Sequence, residues 1–407
     1  MKGSYRTWLL LFGPAWLAMI ADMDASSYIG AASTGAAFGY GLVWLMALLV
    51  IPLFIIQEQA GRIGIATGKG LGTVVRERYG RRAATAVALP MAITDMVTYA
   101  IEYLGIGIGL EVAGIPILYT VPLIYVLHIA IVSSGKYRQA EKPLIAMSLL
   151  LIAFLVAALV IRGPLPHTDP EANMFLLGDS RNYFLVLAAD VGAVVMPFMV
   201  FFQASATGTK VMGMRSSNIA VEGRAAIRSI RSETLVGAMV TEGMMIVVVM
   251  AFAGIGSASS ASFFATPAEL SRTLRVLAGD YAPAVFSAGL VAAGFIALIV
   301  ISLGSAWGVA EALDMKQKNY WLLYVTESLP AVFASILVSA SLMIEIVLYL
   351  LVFFVLALIA PLSVMWVIGR DPEVMGPLTM PRRVQAAYLA SSALVVSTAF
   401  IAMATSI

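Results

Sequence analysis

The sequence contains no cysteine, only two histidines and few charged residues. Without cysteine the chain has no disulfide bond and no thiolate metal centre. His128 and His167 are too few to form a histidine metal cluster. The sequence also has no nucleotide-binding motif, no nucleophile constellation and no set of redox ligands. It therefore indicates neither an enzyme nor a nucleic-acid-binding protein, and we expect no resident cofactor.

Apolar residues dominate what is present. They make up 61% of the 407 residues, charged residues make up 12%, and the mean hydropathy is +0.94. No soluble domain of this length has such a composition, so the predicted fold class is an all-α polytopic membrane protein. A membrane span needs about 20 mostly apolar residues. We expect one transmembrane domain over 1–407, with eleven spans at about 8–37, 41–65, 84–112, 117–135, 143–162, 184–208, 232–256, 282–312, 320–341, 343–369 and 384–405.

The basic residues predict the orientation of these spans. Twenty-one of the 25 Lys and Arg residues fall on the side of the membrane that holds the N-terminus, and only Arg162, Arg181, Arg272 and Arg275 fall on the other. Cytoplasmic loops are enriched in Lys and Arg. We therefore expect the N-terminus in the cytoplasm and the C-terminus outside, in a prokaryotic-type plasma (inner) membrane whose lipid surrounds the protein.

Span 1 is interrupted near its middle by acidic residues. Asp22 and Asp24 are followed by Ser26 and Ser27, and apolar residues lie on both sides. A carboxylate at that depth costs about 2.5–3.5 kcal/mol on insertion scales. The alternative is that these acids only end a helix at a shallow depth, but the flanking apolar residues argue against it. The pattern favours a cation-binding site.

Other acids lie inside predicted spans with few basic residues beside them, so cations, protons or water must neutralise them. Glu102 in span 3 and Asp190 in span 6 are candidate functional residues, and the alternative is that each hydrogen-bonds a neighbouring span. Asp95 belongs to the same set. For Glu58, Glu242, Glu327 and Glu345 the sequence favours a structural role, because they lie nearer to span ends or lack a motif around them.

A second interruption is predicted in span 6, where Asp190 is followed by Met196 and Pro197. Proline removes a backbone donor and breaks the helix. Spans 1 and 6 are the first members of two successive sets of five. Interrupted helices at matching places in two halves indicate a transporter site between inverted repeats. We expect repeat one at about 8–162, repeat two at about 184–369 and an extra helix at about 384–405.

Several short motifs resemble those of the Nramp divalent-metal transporters. They keep the order of that family from span 1 to about span 10, and they are most specific in spans 1–3 and 6. They are Gly13-Pro14, Phe38-Gly39-Tyr40, Gly64-Ile65-Ala66-Thr67-Gly68-Lys69, Arg76-Glu77-Arg78-Tyr79, Ile101-Glu102-Tyr103-Leu104-Gly105, Tyr137-Arg138 with Glu141-Lys142, and Met196-Pro197. The resemblance implies two inverted five-helix repeats with broken helices 1 and 6, an eleventh helix, a monomer and alternating access.

The resemblance also implies a set of site residues. The metal-binding Asp of the family corresponds to Asp24, and its Asn is replaced by Ser27. A carbonyl-donating Ala and a thioether-donating Met correspond to Ala193 and Met196. The conserved Glu of span 3 corresponds to Glu102 on a possible ion pathway, and the His after Met-Pro is replaced by Phe198. The span-9 arginines are absent, with Glu327 near their place, and the span-10 Gln falls near Ile359. Asp22 and Asp190 are additional acids near the two breaks.

These departures predict a change of substrate within the resemblance. The site gains carboxylates and loses an amide, and Mg²⁺ prefers carboxylate oxygens plus retained waters. The chain is therefore most similar to the divergent Nramp-related magnesium transporters. We expect Mg²⁺ uptake, also of Mn²⁺, driven by the membrane potential without obligatory proton coupling. Met196 argues the other way: as a ligand it favours Mn²⁺, and as packing it favours neither ion.

Three alternatives stay open on the sequence. The first is a proton-coupled Mn²⁺/Fe²⁺ importer with unusual ligands. The second is an organic-cation or amino-acid carrier on the same fold, in which Asp22, Asp24 and Asp190 pair with an ammonium group. The third, a metal sensor, is the weakest, because no cytoplasmic domain is present to relay a signal.

Overall fold

The structure is a computed structural model that describes residues 11–134, 137–162, 181–219, 221–253, 270–272, 274–275, 279–338 and 340–406. Parts of the predicted connections at 163–183 and 257–281 lie outside these residues, and so does the side chain of Glu345. Within the described ranges the chain is helical without a β-strand. Its α-helices are α1 (Pro14–Ile20), α2 (Ala25–Phe38), α3 (Val43–Thr67), α4 (Leu71–Val112), α5 (Ile117–Ser133), α6 (Tyr137–Arg162), α7 (Arg181–Val194), α8 (Pro197–Ser216), α9 (Gly223–Phe252), α10 (Ala282–Leu313), α11 (Tyr320–Leu337), α12 (Ala340–Gly369), α13 (Pro372–Met375) and α14 (Arg382–Ser406).

These helices match the eleven predicted spans in order. Spans 1 and 6 are each divided in two, as α1–α2 and α7–α8, and α13 is a short surface helix. Eight helical stretches of the described chain are long and apolar enough to cross a membrane, and Ile117–Ser133 is a shorter apolar helix. The predicted fold class is therefore confirmed: a polytopic all-α protein in which the first and sixth spans are broken.

Both breaks have a local cause in the sequence. In span 1 the chain leaves α1 after Ile20, and Asp24 adopts an extended conformation (φ −82°, ψ 178°) as the N-cap of α2. In span 6, Met196 is extended (φ −90°, ψ 146°) and Pro197 occupies the first position of α8. Proline is favoured there because its missing N–H would have no partner in the helix. Each break therefore ends at a residue suited to begin the next helix.

One boundary differs from the prediction. Helix α4 begins at Leu71, thirteen residues before the predicted start of span 3, and runs for 42 residues. Nine residues precede Gly80 and 32 follow it, and the second part alone is about 48 Å long at 1.5 Å per residue, more than the hydrocarbon thickness of a bilayer. The helix is kinked at Gly80 (φ 87°, ψ 167°), a conformation that favours glycine. The Arg-rich segment before the kink thus forms a separate helical arm, which the hydropathy pattern did not reveal.

The core places the broken helices between long continuous ones. Helices α4 and α10 pack together along much of their length, α8 and α9 pack on α3, and α12 and α14 pack on α7. Close approach is possible where small residues replace bulky ones. A Cβ on Gly192 of α7 would collide with the carbonyl of Leu351 on α12. The two breaks are consequently enclosed on all sides by protein.

Candidate cation site

Asp24 is held in place by its own helix. Its Oδ1 accepts hydrogen bonds from the backbone N–H of Ser27 and the hydroxyl of Ser26, both at 2.7 Å. The other carboxylate oxygen, Oδ2, is buried and has no hydrogen-bond partner. A buried unpaired carboxylate oxygen costs free energy unless something compensates it. One oxygen of Asp24 is therefore fixed by the fold, and the other is available to a ligand.

Ser27 supplies a second unpaired oxygen one turn away. Its backbone N–H donates to Asp24, and its hydroxyl is fully buried close to the same carboxylate without a hydrogen bond of regular geometry. Serine and carboxylate oxygens are hard donors that suit Mg²⁺, Ca²⁺ and Mn²⁺. The predicted pair Asp24 and Ser27 thus lies together in the first break with oxygen atoms free to coordinate.

Ala193 and Met196 lie at the second break, as predicted. Ala193 is in the last turn of α7, Met196 lies between α7 and α8, and both are buried. The backbone N–H of Met196 donates to the sulfur of Met199 at 3.4 Å. Helix α1 packs against α8, and α2 packs against α7, so the two breaks face each other across the protein core.

A direct hydrogen bond joins the two broken spans. Thr34 of α2 donates through its hydroxyl to both carboxylate oxygens of Asp190 on α7, at 2.8 and 3.0 Å. Asp190 is fully buried. The alternative that Asp190 bonds a neighbouring span is therefore realised. That neighbour is α2, the second half of span 1, so Asp190 joins the two broken spans.

Two further acids extend the negative region from Asp24. Asp22 is within electrostatic range of Asp24 and of Glu242, and Glu242 is within range of Asp190. One oxygen of Asp22 and both oxygens of Glu242 are buried without a hydrogen-bond partner. Glu242, for which the sequence favoured a structural role, lies in the middle of α9 and is fully buried. No break or motif in the sequence accompanies it.

Glu102 caps the helix that carries Asp24. Both of its oxygens accept from the backbone N–H of Ala25, at 3.2 and 3.0 Å. A carboxylate at a helix N-terminus is stabilised by the helix dipole. Glu102 therefore has a structural partner, and its charge also lies within electrostatic range of Asp24.

Phe198 and Ile359 contribute no polar group to the site. Phe198 is fully buried in the first turn of α8, and its backbone carbonyl closely approaches Gly304 of α10. Ile359, where the resemblance placed a closing residue, is 36% exposed on α12, whereas Leu358 and Val355 are fully buried. Successive helical residues point about 100° apart, so Ile359 faces away from the core and that assignment is wrong.

Sequence reasoning missed a contact group on α1. Oε1 of Glu233 on α9 accepts from the backbone N–H of Gly13 at 2.7 Å and of Trp16 at 2.8 Å. Lys210 of α8 pairs with Glu141 of α6 at 2.6 Å and donates to the carbonyl of Phe12. These residues, together with Gly13 (φ 131°), fasten the start of α1 to three helices. They are far apart in sequence, so the motifs marked Gly13 and Glu141 but not their contacts with Glu233 and Lys210.

The described residues contain no preformed cage of three or more His, Cys, Asp or Glu side chains. A cation at Asp24 would therefore be completed by the Ser27 hydroxyl, by backbone carbonyls and the Met196 sulfur at the second break, or by retained water. This arrangement suits an ion that binds and leaves, because few side-chain charges hold it directly.

Two comparisons place the chain among known sequences. The family model named Nramp, natural resistance-associated macrophage protein-like, matches residues 15–405. The divalent metal cation transporter MntH of Yersinia enterocolitica is 28% identical over 312 residues, covering 74% of this chain and 73% of that protein. MntH of Pectobacterium carotovorum is 28% identical over 312 residues, covering 74% and 72%.

Solved structures share the fold at low sequence identity. A crystal structure of the Eremococcus coleocola manganese transporter has a TM-score of 0.79 and 16% identity, covering 98% of this chain and 86% of that one. MhsT in complex with L-phenylalanine has a TM-score of 0.61 and 13% identity, covering 97% and 98%. Together with the family model over nearly the whole sequence, the comparisons show that this chain belongs to the Nramp family of membrane transporters and is not an enzyme.

Proposed function

We propose that this protein takes up divalent metal cations, with Mg²⁺ as the principal substrate and Mn²⁺ as a second. The observation that carries the proposal is the pair of unpaired, buried oxygens at the first break, Oδ2 of Asp24 and the hydroxyl of Ser27. The relatives named divalent metal cation transporters support the class of substrate. The preference for Mg²⁺ rests on the chemistry of this chain's own residues.

Hard oxygen donors dominate the proposed site. Ser27 offers a hydroxyl, and Phe198 offers no imidazole. Asp22, Glu242 and Asp190 add negative charge around Asp24 without converging into a cage of side chains. Mg²⁺ dehydrates reluctantly and is bound through one or two carboxylates with several waters retained. A site with one directly available carboxylate and nearby charge matches that requirement.

The two breaks supply the transport cycle. A partly hydrated ion enters from outside and meets Asp24, with Ser27 and the backbone near Ala193 and Met196 contacting it directly or through water. Asp22 and Asp190 supply negative electrostatic potential and hydrogen bonds around the ion. The halves of spans 1 and 6 then rock to open the inner side, which requires release of α1 from Glu233 and Lys210.

The membrane potential drives uptake in this proposal. With the N-terminus in the cytoplasm of a bacterial inner membrane, a divalent ion that moves inward gains about 4.6 kcal/mol per 100 mV. The chain lacks the imidazole at Phe198 and places no arginine in α11, which supports uptake without obligatory protons. A single copy encloses both breaks, so we propose a monomer in lipid.

A second candidate function is proton-coupled Mn²⁺ import, which Met196 favours. Its side chain is fully buried at the break, and a thioether prefers softer transition metals to Mg²⁺. The variant Met196→Leu keeps the volume and removes the sulfur. If sulfur coordinates the ion, Met196→Leu weakens Mn²⁺ binding much more than Mg²⁺ binding. Equal effects on both ions would assign Met196 to packing.

The deciding experiment is a titration of purified protein with Mg²⁺, Mn²⁺ and Ca²⁺, with Asp24→Ala beside the wild type. We expect saturable Mg²⁺ and Mn²⁺ binding that Asp24→Ala abolishes. The control Asp314→Ala removes an acid that is exposed and pairs with Arg76, and it leaves binding unchanged. Normal binding and uptake by folded Asp24→Ala protein would remove the site assignment.

Proteoliposome uptake with a pH dye inside tests the coupling. We expect Mg²⁺ uptake that follows an imposed negative potential and leaves the lumenal pH constant. A pH change that depends on the metal ion would establish the proton-coupled alternative instead. Uptake of a labelled amine without any divalent ion would favour the organic-cation carrier.

A further inference from the structure

A separate group of buried polar residues lies between α4, α10 and α11, helices that carry neither break. Its members are Asp95 of α4, Ser305 of α10 and Glu327 of α11. Asp95 and Ser305 are fully buried, and Glu327 is 5% exposed. Neither the breaks nor the contacts that fasten α1 include these three residues. The proposed transport mechanism therefore does not account for them.

Two hydrogen bonds join the helices that carry these residues. Tyr99 donates through its hydroxyl to Ser302 at 2.9 Å, which joins α4 to α10 one turn from Asp95 and Ser305. Trp307 donates through Nε1 to the hydroxyl of Tyr324 at 3.1 Å, which joins α10 to α11 one turn from Glu327. Asp95 is within electrostatic range of Glu327, and the carboxylates of both lie close to the hydroxyl of Ser305, so the three side chains share one space between the helices.

In the described part of the chain, the oxygens of this group have no partner outside the group. Both carboxylate oxygens of Asp95, both of Glu327 and the hydroxyl oxygen of Ser305 are inaccessible to solvent and make no hydrogen bond of regular geometry, and among the described residues the hydroxyl of Ser305 is the only polar group close to both carboxylates. None of the ion pairs among the described residues involves Asp95 or Glu327. Five such oxygens in the protein interior are costly unless a cation or a proton joins them.

The histidine beside this group is already used. Both ring nitrogens of His128 on α5 are hydrogen-bonded, Nδ1 with Tyr103 at 2.8 Å and Nε2 with Ser302 at 2.6 Å. The second of these bonds is to Ser302, which also accepts from Tyr99, so both ring nitrogens are already used in the neighbouring contact between α4 and α10. His128 is therefore not placed to neutralise either acid, and the charge of the group has to be met by something that enters it.

We propose that Asp95, Ser305 and Glu327 form a second cation site, selective for a dehydrated alkali ion and best matched by Na⁺. All donors on the three side chains are hard oxygens, without nitrogen or sulfur. The three residues lie inside helices and not at a break, so no unwound backbone makes room for retained waters, which disfavours Mg²⁺ because that ion keeps its waters. Na⁺ held between the two carboxylates offsets one of their two charges.

Na⁺ bound at this site changes the affinity of Asp24 for the divalent ion. Asp95 is within electrostatic range of Asp24 and of Glu327. A positive ion beside Asp95 reduces the negative potential at Asp24, so Na⁺ weakens divalent binding. Binding of Na⁺ therefore lowers the affinity for the divalent ion, and binding of the divalent ion lowers the affinity for Na⁺ by the same factor.

The test measures Na⁺ binding without any divalent ion. Tryptophan fluorescence follows thermal unfolding of purified protein in EDTA, with NaCl replaced stepwise by choline chloride at constant ionic strength. A ligand that binds only the folded state raises its stability with concentration. We expect a saturable rise in Tm with Na⁺, little rise with K⁺, and an apparent Kd weakened about tenfold or more in Asp95→Asn and in Glu327→Gln, because each removes one of two charges.

Asp24→Asn is the matched variant that separates this proposal from the proposed function. It loses divalent binding but keeps the Na⁺ response if the second site is real. Ser305→Ala serves where an acid variant fails to fold, and it weakens the Na⁺ response through the lost hydroxyl. Three results would overturn the proposal: no Na⁺ dependence in the wild type, the same Na⁺ dependence in the three site variants, or stabilisation by acid alone with no response to Na⁺.

Discussion

The strongest structural prediction concerns the release of α1. Glu233 accepts two backbone N–H groups with one buried oxygen, and both bonds hold the start of α1 against α9. Glu233→Ala leaves those donors without a partner while α1 is closed, and they reach water when α1 swings away. A buried donor without a partner costs about 1–3 kcal/mol. The closed state therefore loses about 2–6 kcal/mol, and the lower figure shifts the closed-to-open ratio about 30-fold.

The absence of cysteine makes this shift measurable. Ala18→Cys places one thiol on α1 at a fully buried position, where a membrane-impermeant maleimide reaches it only when α1 opens. We expect labelling from the cytoplasmic side to be at least about tenfold faster with Glu233→Ala. Glu233→Gln retains an acceptor oxygen and stays near the wild-type rate.

Glu77→Ala is the matched control for that experiment. Glu77 pairs with Lys69 on the half-exposed arm before Gly80, so its loss leaves α1 closed and the labelling rate unchanged. Equal labelling rates for Glu233→Ala and the wild type, with both proteins monodisperse and folded, would refute the assignment of Glu233 to closure of the inner side.

Two further predictions concern packing and capping. Gly192→Ala lowers the thermal unfolding midpoint, because its Cβ meets the Leu351 carbonyl and overpacking costs about 1–3 kcal/mol; Gly243→Ala, which has open space around it, does not lower it. Glu102→Gln keeps an acceptor for Ala25 and remains folded, but it weakens Mg²⁺ binding several-fold in a titration, since a charge near Asp24 is lost. Unchanged Mg²⁺ affinity in Glu102→Gln would limit that residue to capping.

The sequence predicted the features that neighbouring residues in the chain determine, above all the two helix breaks. Acids inside an apolar segment located the first break at Asp24, and Pro197 located the second. Both are single-segment signals, because a buried charge and a proline each disturb a helix wherever the chain folds. The spacing of the two breaks then predicted the architecture, and the structure confirms the fold class.

Features that depend on distant partners were not predictable from one sequence. Glu233 and Gly13 are 220 residues apart, and Thr34 and Asp190 are 156 apart. A hydropathy pattern also cannot distinguish an inward from an outward residue on an apolar helix, so Ile359 was misplaced while its neighbour Leu358 faces the core. The prediction for span 3 began too late because the charged segment before Gly80 is helical without being apolar, and hydropathy detects only apolar segments.

Charge is distributed in two different ways along this transporter. Near the ends of the helices acids are paired with bases, as in Glu58 with Arg62 and Glu141 with Lys210. In the interior of the described chain the acids lie without basic partners: Asp22, Asp24, Asp95, Glu102, Asp190, Glu242 and Glu327. A buried pair would satisfy itself and bind nothing else. Interior carboxylates without basic partners instead require mobile cations or protons. This requirement is the physical basis on which a helical membrane protein attracts an ion to its centre and still releases it.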